Sequence, residues 1–384
     1  MSAPSTPLYS PPRFAEVDQT PSPALILDAA QVERNIDLMI RMAGRADRLR
    51  PHCKTHKMAA VARLELAAGV TRHKAATLAE VEMLAREGAR DILLAYHLVG
   101  PAIGQALSLI NAYPRLQLSL LVDDLDVAAV LSEAAKAKGR TFDLLADLDI
   151  GQHRTGVAPT KWRDFCQSVA TLPGVRLKGL HLYDGHNQAP SRADRQAEVD
   201  RIWGDVAKLL SELSPSGIEI DEITAGGTGS FPCWASIDDP RIILSPGTVV
   251  FYDAGYGLKY ADLEFRPAAW IFSRVVSRPA EGRITLDAGC KAVSGDPPLE
   301  KRAYLPELAD AKIVAQNEEH LVIETSDAKK LAPGSVVWLI PGHVCPTVAL
   351  HRSALVVRDG RIVDEWSVSA RDRALSTDAR PIKL

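Results

Sequence analysis

From about residue 24 to residue 250, short apolar runs alternate with segments whose apolar side chains recur at helical spacing. The run Ala24–Asp28 predicts a strand, and the segment 31–43 after it predicts a helix with one apolar face. Further strands are predicted, in order, at residues 48–54, 73–77, 91–97, 116–123, 142–150, 177–183, 218–224 and 242–250. Most of these runs are apolar throughout, which is typical of parallel strands that are buried on both faces.

Helical patterns separate the predicted strands. The clearest of them cover residues 78–86, 125–137, 162–171 and 192–213. Counted from residue 48, the chain has eight strands separated by helices or loops, and this number indicates an α/β fold of the TIM type, a (β/α)8 barrel. An open doubly wound sheet is the alternative, but no GxGxxG sequence opens a first helix.

After about residue 262 the helical periodicity fades and short strands take over. These strands are predicted at residues 269–276, 283–287, 311–315, 321–324, 336–340, 354–358 and 361–366. Asp359-Gly360, between the last two, is a strong hairpin signal. We therefore predict an N-terminal arm at residues 1–20, a barrel at 21–261 and a smaller, mostly β C-terminal domain at 262–384.

Length, charge and cysteine usage narrow the class of protein. A length of 384 residues favours two domains over one. A net charge of −3 gives no electrostatic reason to expect binding to nucleic acid or to an anionic membrane. No apolar stretch reaches about 18 residues, and Met1–Phe14 is rich in Ser and Pro, so we expect neither a membrane span nor a signal peptide. Five scattered cysteines argue against a disulfide framework and predict a reducing, cytoplasmic location.

The run Arg50-Pro51-His52-Cys53-Lys54-Thr55-His56-Lys57 ends a predicted buried strand on two lysines and two histidines. A lysine at the mouth of a barrel is partly desolvated, so it can lose its proton and attack a carbonyl carbon. That reactivity is what covalent binding of pyridoxal phosphate requires, and Lys54 is the candidate nucleophile. A solvated basic loop is the alternative interpretation of this run.

A barrel builds its active site from the residues at the C-terminal ends of its strands. Those positions are Lys54, Thr77, His97, Asp123, Arg154, His181 with Tyr183, and the loop Ala225-Gly226-Gly227-Thr228-Gly229-Ser230. The loop's backbone N–H groups and hydroxyls are suited to a phosphate, with Gly247-Thr248 as a second pair of donors. Arg154 could fix an anionic oxygen on a cofactor ring, or it could simply cap a turn.

The β-domain contains Pro341-Gly342-His343-Val344-Cys345-Pro346-Thr347. On an extended segment, positions two apart point to the same side, so His343 and Cys345 could face one metal ion. Imidazole nitrogen and thiolate sulfur are ligands suited to zinc. A buried free cysteine with no metal is the alternative.

These pieces together resemble the D-threonine aldolase and D-serine dehydratase family of fold-type III pyridoxal-phosphate enzymes. The resemblance covers nearly the whole chain after the arm, and the order and spacing of its segments are specific. The matching segments are Thr20–Asp28, Arg50–Lys57, Ala225–Ser230, Leu286–Gly289, Glu319-His320 and Pro341–Thr347. The resemblance implies an alanine-racemase-like barrel followed by a β-domain, a homodimer paired head to tail, and association of the arm with the β-domain.

The resemblance also assigns roles to residues of this chain. Lys54 matches the lysine that holds pyridoxal phosphate covalently, and Arg154 and Tyr183 match residues at the cofactor ring. Gly226, Gly227, Thr228, Gly229, Gly247 and Thr248 match the phosphate-binding residues. His343 and Cys345 match the two protein ligands of a catalytic divalent metal, for which the thiolate favours zinc, with manganese as a second choice.

One departure from the family pattern bears on which of two implied reactions this chain catalyses. Aldolases of the family usually carry His-x-Asp at the metal and dehydratases carry His-x-Cys, whereas here Cys345 lies in a frame more similar to the aldolases. We weigh the frame above the single ligand and predict a D-threonine aldolase-type lyase, which cleaves a D-3-hydroxy amino acid to glycine and an aldehyde. His52, His56 or a metal-bound water could be the base. The alternative is a D-serine or D-3-hydroxyaspartate dehydratase, which forms a 2-oxo acid and ammonia.

Two further functions have less support from the sequence than the lyase. A non-catalytic pyridoxal-phosphate regulator on the same barrel would leave the β-domain and its His343–Cys345 pair unexplained. An amino-acid racemase normally takes a second acid–base tyrosine from the β-domain, and Tyr304 is the only tyrosine beyond residue 262. The metal pair would again be unexplained.

Overall fold

A computed structural model of the chain describes residues 9–375. In chain order its strands are β1 (Ala24–Asp28), β2 (Arg72–Ala75), β3 (Asp91–Leu94), β4 (Gln117–Val122), β5 (Phe142–Asp147), β6 (Val175–Leu182), β7 (Glu222–Ala225), β8 (Ile242–Leu244), β9 (Ala269–Ala280), β10 (Arg283–Leu286), β11 (Ala303–Tyr304), β12 (Lys312–Gln316), β13 (Leu321–Glu324), β14 (Val336–Pro341), β15 (Ser353–Arg358) and β16 (Arg361–Ser367). Its α-helices are α1 (Ala29–Ala43), α2 (Ala59–Ala67), α3 (Leu78–Arg86), α4 (Pro101–Ala112), α5 (Leu125–Ala137), α6 (Trp162–Ala170), α7 (Arg192–Leu213), α8 (Phe231–Trp234), α9 (Ala254–Gly257) and α10 (Val344–Leu350).

The described chain divides into two compact units, which we call the β-rich unit and the barrel unit. The β-rich unit comprises residues 9–38, 55–60 and 248–371, and the barrel unit comprises residues 39–54, 61–247 and 372–375. The predicted boundary between residues 261 and 262 therefore lies inside the β-rich unit. Residues 9–38 belong to the β-rich unit because they contain β1, which pairs in parallel with β15 and antiparallel with β9.

The barrel unit contains a parallel sheet in the order β2-β3-β4-β5-β6-β7-β8. Three helices begin at side-chain caps: Thr77 before α3, Asp124 before α5 and Ser191 before α7. Leu93, Leu121 and Leu145, on three neighbouring strands, form one apolar cluster. This arrangement confirms the predicted α/β architecture.

The predicted strand at residues 48–54 is wrong as a regular strand. Pro51 has no N–H to donate to a ladder, and Cys53–Thr55 turns into a short 3-10 helix. The segment nevertheless joins both edges of the parallel sheet, because Arg50 N donates to Leu244 O at 2.8 Å and Lys74 N donates to Pro51 O at 2.9 Å. It thus takes the place of the missing barrel strand.

The β-rich unit is built on a sheet in the order β12-β13-β10-β9-β1-β15-β16, with β14 paired to β9 and β11 paired to β14. Its core includes Phe272 and Trp338, whose rings lie 5.1 Å apart, together with Tyr9 and Phe14. The predicted β15–β16 hairpin is confirmed, since Asp359 and Gly360 have φ values of 50° and 77°, as a type I′ turn requires.

The predicted arm, residues 1–20, is described from residue 9 onwards, and Tyr9 and Phe14 pack in the β-rich core. Residues 1–8 of that arm lie outside the described part of the chain. Between residues 9 and 375, no helix is both long and apolar enough to cross a membrane.

Candidate active site

Lys54, Arg154 and Tyr183 come together in the barrel unit. The Nζ atom of Lys54 lies 5.8 Å from the centroid of the Tyr183 ring, and the Arg154 guanidinium carbon lies 5.0 Å from the same centroid. Lys54 follows the segment that joins the sheet edges, and Tyr183 directly follows β6. The aromatic ring and its two cations form a surface suited to a flat anionic ligand.

The loop that carries Arg154 is held by two aspartates, one in β5 and one two residues after it. Asp149 Oδ1 accepts hydrogen bonds from the backbone N–H groups of Gly151 and His153, each at 3.0 Å. Asp147 Oδ2 accepts from Thr155 Oγ1 at 2.8 Å. The turn is therefore fixed on both sides of Arg154.

The Gly-rich loop lies between β7 and α8 and backs onto Tyr183. Gly226 has φ of +80°, and a Cβ there would lie 2.8 Å from Trp234 Cδ1, so only glycine fits. A Cβ on Gly227 would lie 3.3 Å from Tyr183 Cε2. Gly247 N donates to Thr228 Oγ1 at 3.4 Å, which brings Gly247 to the same loop.

Thr248 belongs to the β-rich unit, although Gly247 before it belongs to the barrel unit. Its Oγ1 lies 3.6 Å from Cys345 Sγ. Thr248 begins a 3-10 turn after β8 has ended, and this turn carries its hydroxyl to the Cys345 thiol.

The predicted metal ligands lie at the start of α10 in the β-rich unit. The prediction of an extended segment at residues 341–347 is wrong beyond His343, because the helix begins at Val344. Asp253 Oδ2 accepts from Val344 N at 3.0 Å, and Thr347 Oγ1 donates to His343 O at 2.8 Å. These two bonds start the helix.

His343 and Cys345 nevertheless interact. Burial lowers the pKa of His343, but hydrogen bonding and charge from Cys345, with a contribution from Asp296, outweigh it and raise the pKa to about 9. His343 Nδ1 lies 2.6 Å from Asp296 Oδ2. Thr55 Oγ1 lies 3.2 Å from Cys345 Sγ. One thiol and one imidazole are thus held by fixed polar neighbours.

The chain resembles characterised proteins over nearly its full length. Residues 27–254 match the alanine racemase N-terminal domain, and residues 268–357 match a putative serine dehydratase domain. A D-threonine aldolase from Arthrobacter sp. is 35% identical, over 93% of this chain and 94% of that protein. A 3-hydroxy-D-aspartate aldolase from Paracoccus denitrificans (strain Pd 1222) is 30% identical, over 95% of this chain and 96% of that protein.

A more distant relative and a solved structure are also similar to this chain over most of its length. A D-threo-3-hydroxyaspartate dehydratase from Delftia sp. (strain HT23) is 25% identical, over 85% of this chain and 92% of that protein. The crystal structure of a D-threonine aldolase from Filomicrobium marinum matches with a TM-score of 0.84 at 29% identity, over 94% of this chain and 98% of that one. The chain belongs to the D-threonine aldolase and D-serine dehydratase family. It is a lyase of that family, and the family implies pyridoxal phosphate and a metal ion.

The barrel unit of this family member fits pyridoxal phosphate. Thr224 Oγ1 and Ser245 Oγ, at the C-terminal ends of β7 and β8, and His181 Nε2 on β6 are buried without a hydrogen-bond partner in the described chain. Leaving such an atom unpaired costs about 1–3 kcal/mol. The polar ring and the phosphate of pyridoxal phosphate would supply hydrogen-bond partners to these atoms and to the Gly-rich loop.

Sequence reasoning missed Asp184, which holds the Gly-rich loop. Its Oδ1 accepts from Ser230 Oγ at 2.7 Å and its Oδ2 accepts from Trp234 Nε1 at 3.0 Å. Ser230 Oγ in turn accepts from Gly227 N at 3.2 Å. The only available signal was an acidic residue directly after Tyr183, which a single sequence does not distinguish from a surface aspartate.

We expect Asp184→Asn to weaken the binding of pyridoxal phosphate about tenfold, since an amide replaces one of two acceptors by a donor. Fluorescence titration of the apoprotein would measure the dissociation constant. Ser230→Ala should act in the same direction, and the double variant should lose less than the sum of the two. An unchanged dissociation constant in Asp184→Asn would show that Asp184 only stabilises the fold.

Sequence reasoning also missed Lys74, on β2. It is 3% exposed, and burial, followed by the charge of Lys54, lowers its pKa to about 7. His52, beside it, has Nδ1 at 3.1 Å from Lys74 O. Burial and then Lys54 and Lys74 lower the pKa of His52 well below 6.5, so His52 is uncharged at neutral pH.

Lys74→Met is expected to raise the free energy of unfolding of the apoprotein at pH 7. The unfolded chain holds a proton on Lys74 up to about pH 10.4, whereas the folded chain loses it near pH 7. Between these values the wild type gains stability as pH rises, so the variant's advantage, roughly 3–5 kcal/mol below pH 7, should vanish near pH 10.5. Urea unfolding of both proteins from pH 6.5 to 10.5 would measure it, and a pH-independent difference would contradict it.

The ligand pair of the β-rich unit fits a divalent metal. Asp296, also missed from sequence, contacts His343 Nδ1 and so leaves Nε2 as the nitrogen for a metal.

His56, one of the candidate bases, is buried and its Nδ1 accepts from Met58 N at 3.0 Å. That bond and the Phe251 ring, which is T-shaped to the imidazole with 6.4 Å between the ring centroids, fix its orientation.

Proposed function

We propose that this chain is a pyridoxal-phosphate- and metal-dependent lyase that cleaves D-3-hydroxy amino acids to glycine and an aldehyde. One observation carries the proposal: the chain has the Lys54–Arg154–Tyr183 cluster with its Gly-rich loop, and also the His343–Cys345 pair. Its relatives over the same length include a D-threonine aldolase and a 3-hydroxy-D-aspartate aldolase. A cofactor-binding barrel without turnover would need only the first cluster.

In this proposal the residues of the barrel unit bind and orient the cofactor. Pyridoxal phosphate supplies an aldehyde and an electron-withdrawing ring, which accepts the electrons of the breaking Cα–Cβ bond. Lys54 provides the amine that holds the cofactor. Gly226, Gly227, Thr228, Gly229 and Gly247 present backbone and hydroxyl groups to the phosphate. Tyr183 and Arg154 orient the ring.

In the β-rich unit, His343 and Cys345 would hold the metal. A divalent metal is a Lewis acid that lowers the pKa of a bound hydroxyl. The thiolate favours zinc, with manganese as the weaker choice. Asp296 and Thr55 hold the two ligands in place through their contacts with His343 and Cys345.

The base that takes the substrate's β-hydroxyl proton remains His52, His56 or a metal-bound water. His52 is neutral, and its Nδ1 lies 3.1 Å from Lys74 O and 3.4 Å from Lys54 N. The Nδ1 of His56 is used by Met58. A general base should be neutral at the working pH, which His52 satisfies.

The dehydratase is the second candidate, and Cys345 favours it. In that reaction Lys54 would remove the α-proton, and the metal would help the hydroxide to leave. A D-threo-3-hydroxyaspartate dehydratase among the relatives supports keeping this candidate.

Product analysis tests both reactions. Purified protein with pyridoxal phosphate and either zinc or manganese would be given D-threonine, D-3-hydroxyaspartate and D-serine separately. Glycine with an aldehyde product supports the proposal. A 2-oxo acid with ammonia would support the dehydratase, and absence of any product with bound cofactor would support a regulator.

We also propose a homodimer in a reducing, cytoplasmic compartment that acts on a small-molecule D-amino acid and binds neither nucleic acid nor membrane. All five cysteines lie within residues 9–375 and none of them forms a disulfide there, which supports the reducing compartment. Light scattering of the holoenzyme would test the dimer.

A further inference from the structure

Lys74 is an ionisable side chain in a place where a charge is costly. It is 3% exposed, and within residues 9–375 its ammonium has no carboxylate within ion-pair distance and no hydrogen bond to the protein. Nearly all buried lysines are paired. A lysine that is buried and unpaired is explained either by an anionic ligand or by an amine that stays neutral.

Lys74 shares an aromatic ring with Lys54. The Lys74 Nζ atom lies 5.9 Å from the Tyr183 ring centroid, and the Lys54 Nζ atom lies 5.8 Å from it. The backbone of Lys74 is tied to the segment before Lys54, since Lys74 N donates to Pro51 O at 2.9 Å. Each flexible four-carbon side chain therefore reaches the surface of the same ring.

The charges around Lys74 favour the neutral amine. Lys54, Arg50 and Arg154 oppose its protonation, whereas the carboxylate of Asp147 favours it. That carboxylate is already engaged, because Asp147 Oδ1 lies 2.7 Å from His181 Nδ1 and Oδ2 accepts from Thr155. His181 and His52, two further titratable neighbours, are held neutral by burial, which lowers the pKa of His181 to about 4.

We propose that Lys74 is a second aldehyde-reactive amine of the barrel unit, able to take the cofactor's aldehyde carbon in place of Lys54. The neutral nitrogen attacks the aldehyde carbon, a C=N bond forms, and the aldehyde oxygen leaves as water with both amine protons. The bond is reversible by the same water. This inference rests on the proposed binding of pyridoxal phosphate to the barrel unit, and it adds a second site of covalent attachment to it.

Borohydride trapping tests the inference without an activity assay. Wild type, Lys54→Ala, Lys74→Met and the Lys54→Ala/Lys74→Met double variant would be mixed with pyridoxal phosphate at pH 7.5 and reduced. Peptide mass spectrometry would then locate the label, with the exposed Lys208 as the internal control. An exposed lysine with an ordinary pKa is neutral in roughly 0.1% of molecules at that pH, whereas an amine with a pKa of about 7 is mostly neutral.

Wild type and Lys74→Met should be labelled at Lys54. In Lys54→Ala the label should move to Lys74 and exceed that on Lys208 at least about tenfold, and in the double variant only the background should remain. Label spread over exposed lysines in Lys54→Ala, or no label there, would overturn the inference. Lys54→Gln repeats the test if Lys54→Ala does not fold. Absence of label at Lys54 in wild type would instead overturn the proposed cofactor binding, so the two failures are distinguishable.

Discussion

Lys54→Ala is expected to lower the rate of substrate cleavage by about 10³-fold or more, because the variant lacks the amine that is proposed to hold the cofactor in position. The position of Lys54 supports this size of effect: its Nζ atom lies over the Tyr183 ring that Arg154 also contacts. Glycine and aldehyde formation from D-threonine, at saturating cofactor and metal, would measure the loss. Absorbance of the bound cofactor would report the loss of covalent attachment independently.

Two further variants separate charge from nucleophilicity at this position. Lys54→Arg keeps a cation over the Tyr183 ring but cannot attack an aldehyde at neutral pH, so it should be as inactive as Lys54→Ala. Lys208→Ala, at an exposed lysine, should keep wild-type activity. Any residual turnover of Lys54→Ala should disappear in Lys54→Ala/Lys74→Met if Lys74 takes over attachment. Activity of Lys54→Ala within about tenfold of wild type would contradict the assignment of Lys54.

The barrel was predictable because its signal is local. Seven of the predicted parallel strands appear in the sheet at nearly the predicted places, since most of them are buried apolar runs bounded by helical periodicity. The eighth, at residues 48–54, looked like the others but contains Pro51, and its pairing with β2 and β8 is limited to single bridges. The assignment of β1 to the other sheet depends on partners more than 240 residues away, β9 and β15, and no local pattern encodes that pairing.

The residues of the candidate site likewise divide into those that the sequence predicts and those that it does not. Lys54, the Gly-rich loop and His343 with Cys345 were visible because their residue types are unusual at the ends of strands. Asp184, Lys74 and Asp296 were not, because their roles arise from contacts made through space: with Ser230 and Trp234, with Tyr183, and with His343. A polar side chain has the same appearance in sequence whether it faces water or a buried partner.

Cys345→Ala is expected to lower activity about 10²-fold or more, since it removes one of the two protein ligands proposed for the metal. The cofactor's absorbance should be retained, because Lys54, Arg154, Tyr183 and the Gly-rich loop, which are proposed to bind pyridoxal phosphate, lie in the barrel unit and Cys345 lies in the β-rich unit. Metal content per chain, measured by inductively coupled plasma mass spectrometry, should fall with the activity. Full activity with no change in metal content would remove Cys345 from the metal site.

Cys345→Asp is the informative companion, because a carboxylate oxygen can replace the thiolate at a harder metal. We expect this variant to keep much more activity than Cys345→Ala and to shift its metal preference from zinc towards manganese or magnesium. Cys290→Ala, at a cysteine outside the proposed ligand pair, serves as the matched control and should change neither metal content nor rate. If Cys345→Asp instead raised glycine formation and lowered 2-oxo acid formation, Cys345 would control the choice between the two reactions as well as the metal. If both Cys345 variants kept the wild-type metal preference, the thiolate would not be a ligand, and the metal would have to be held by other residues.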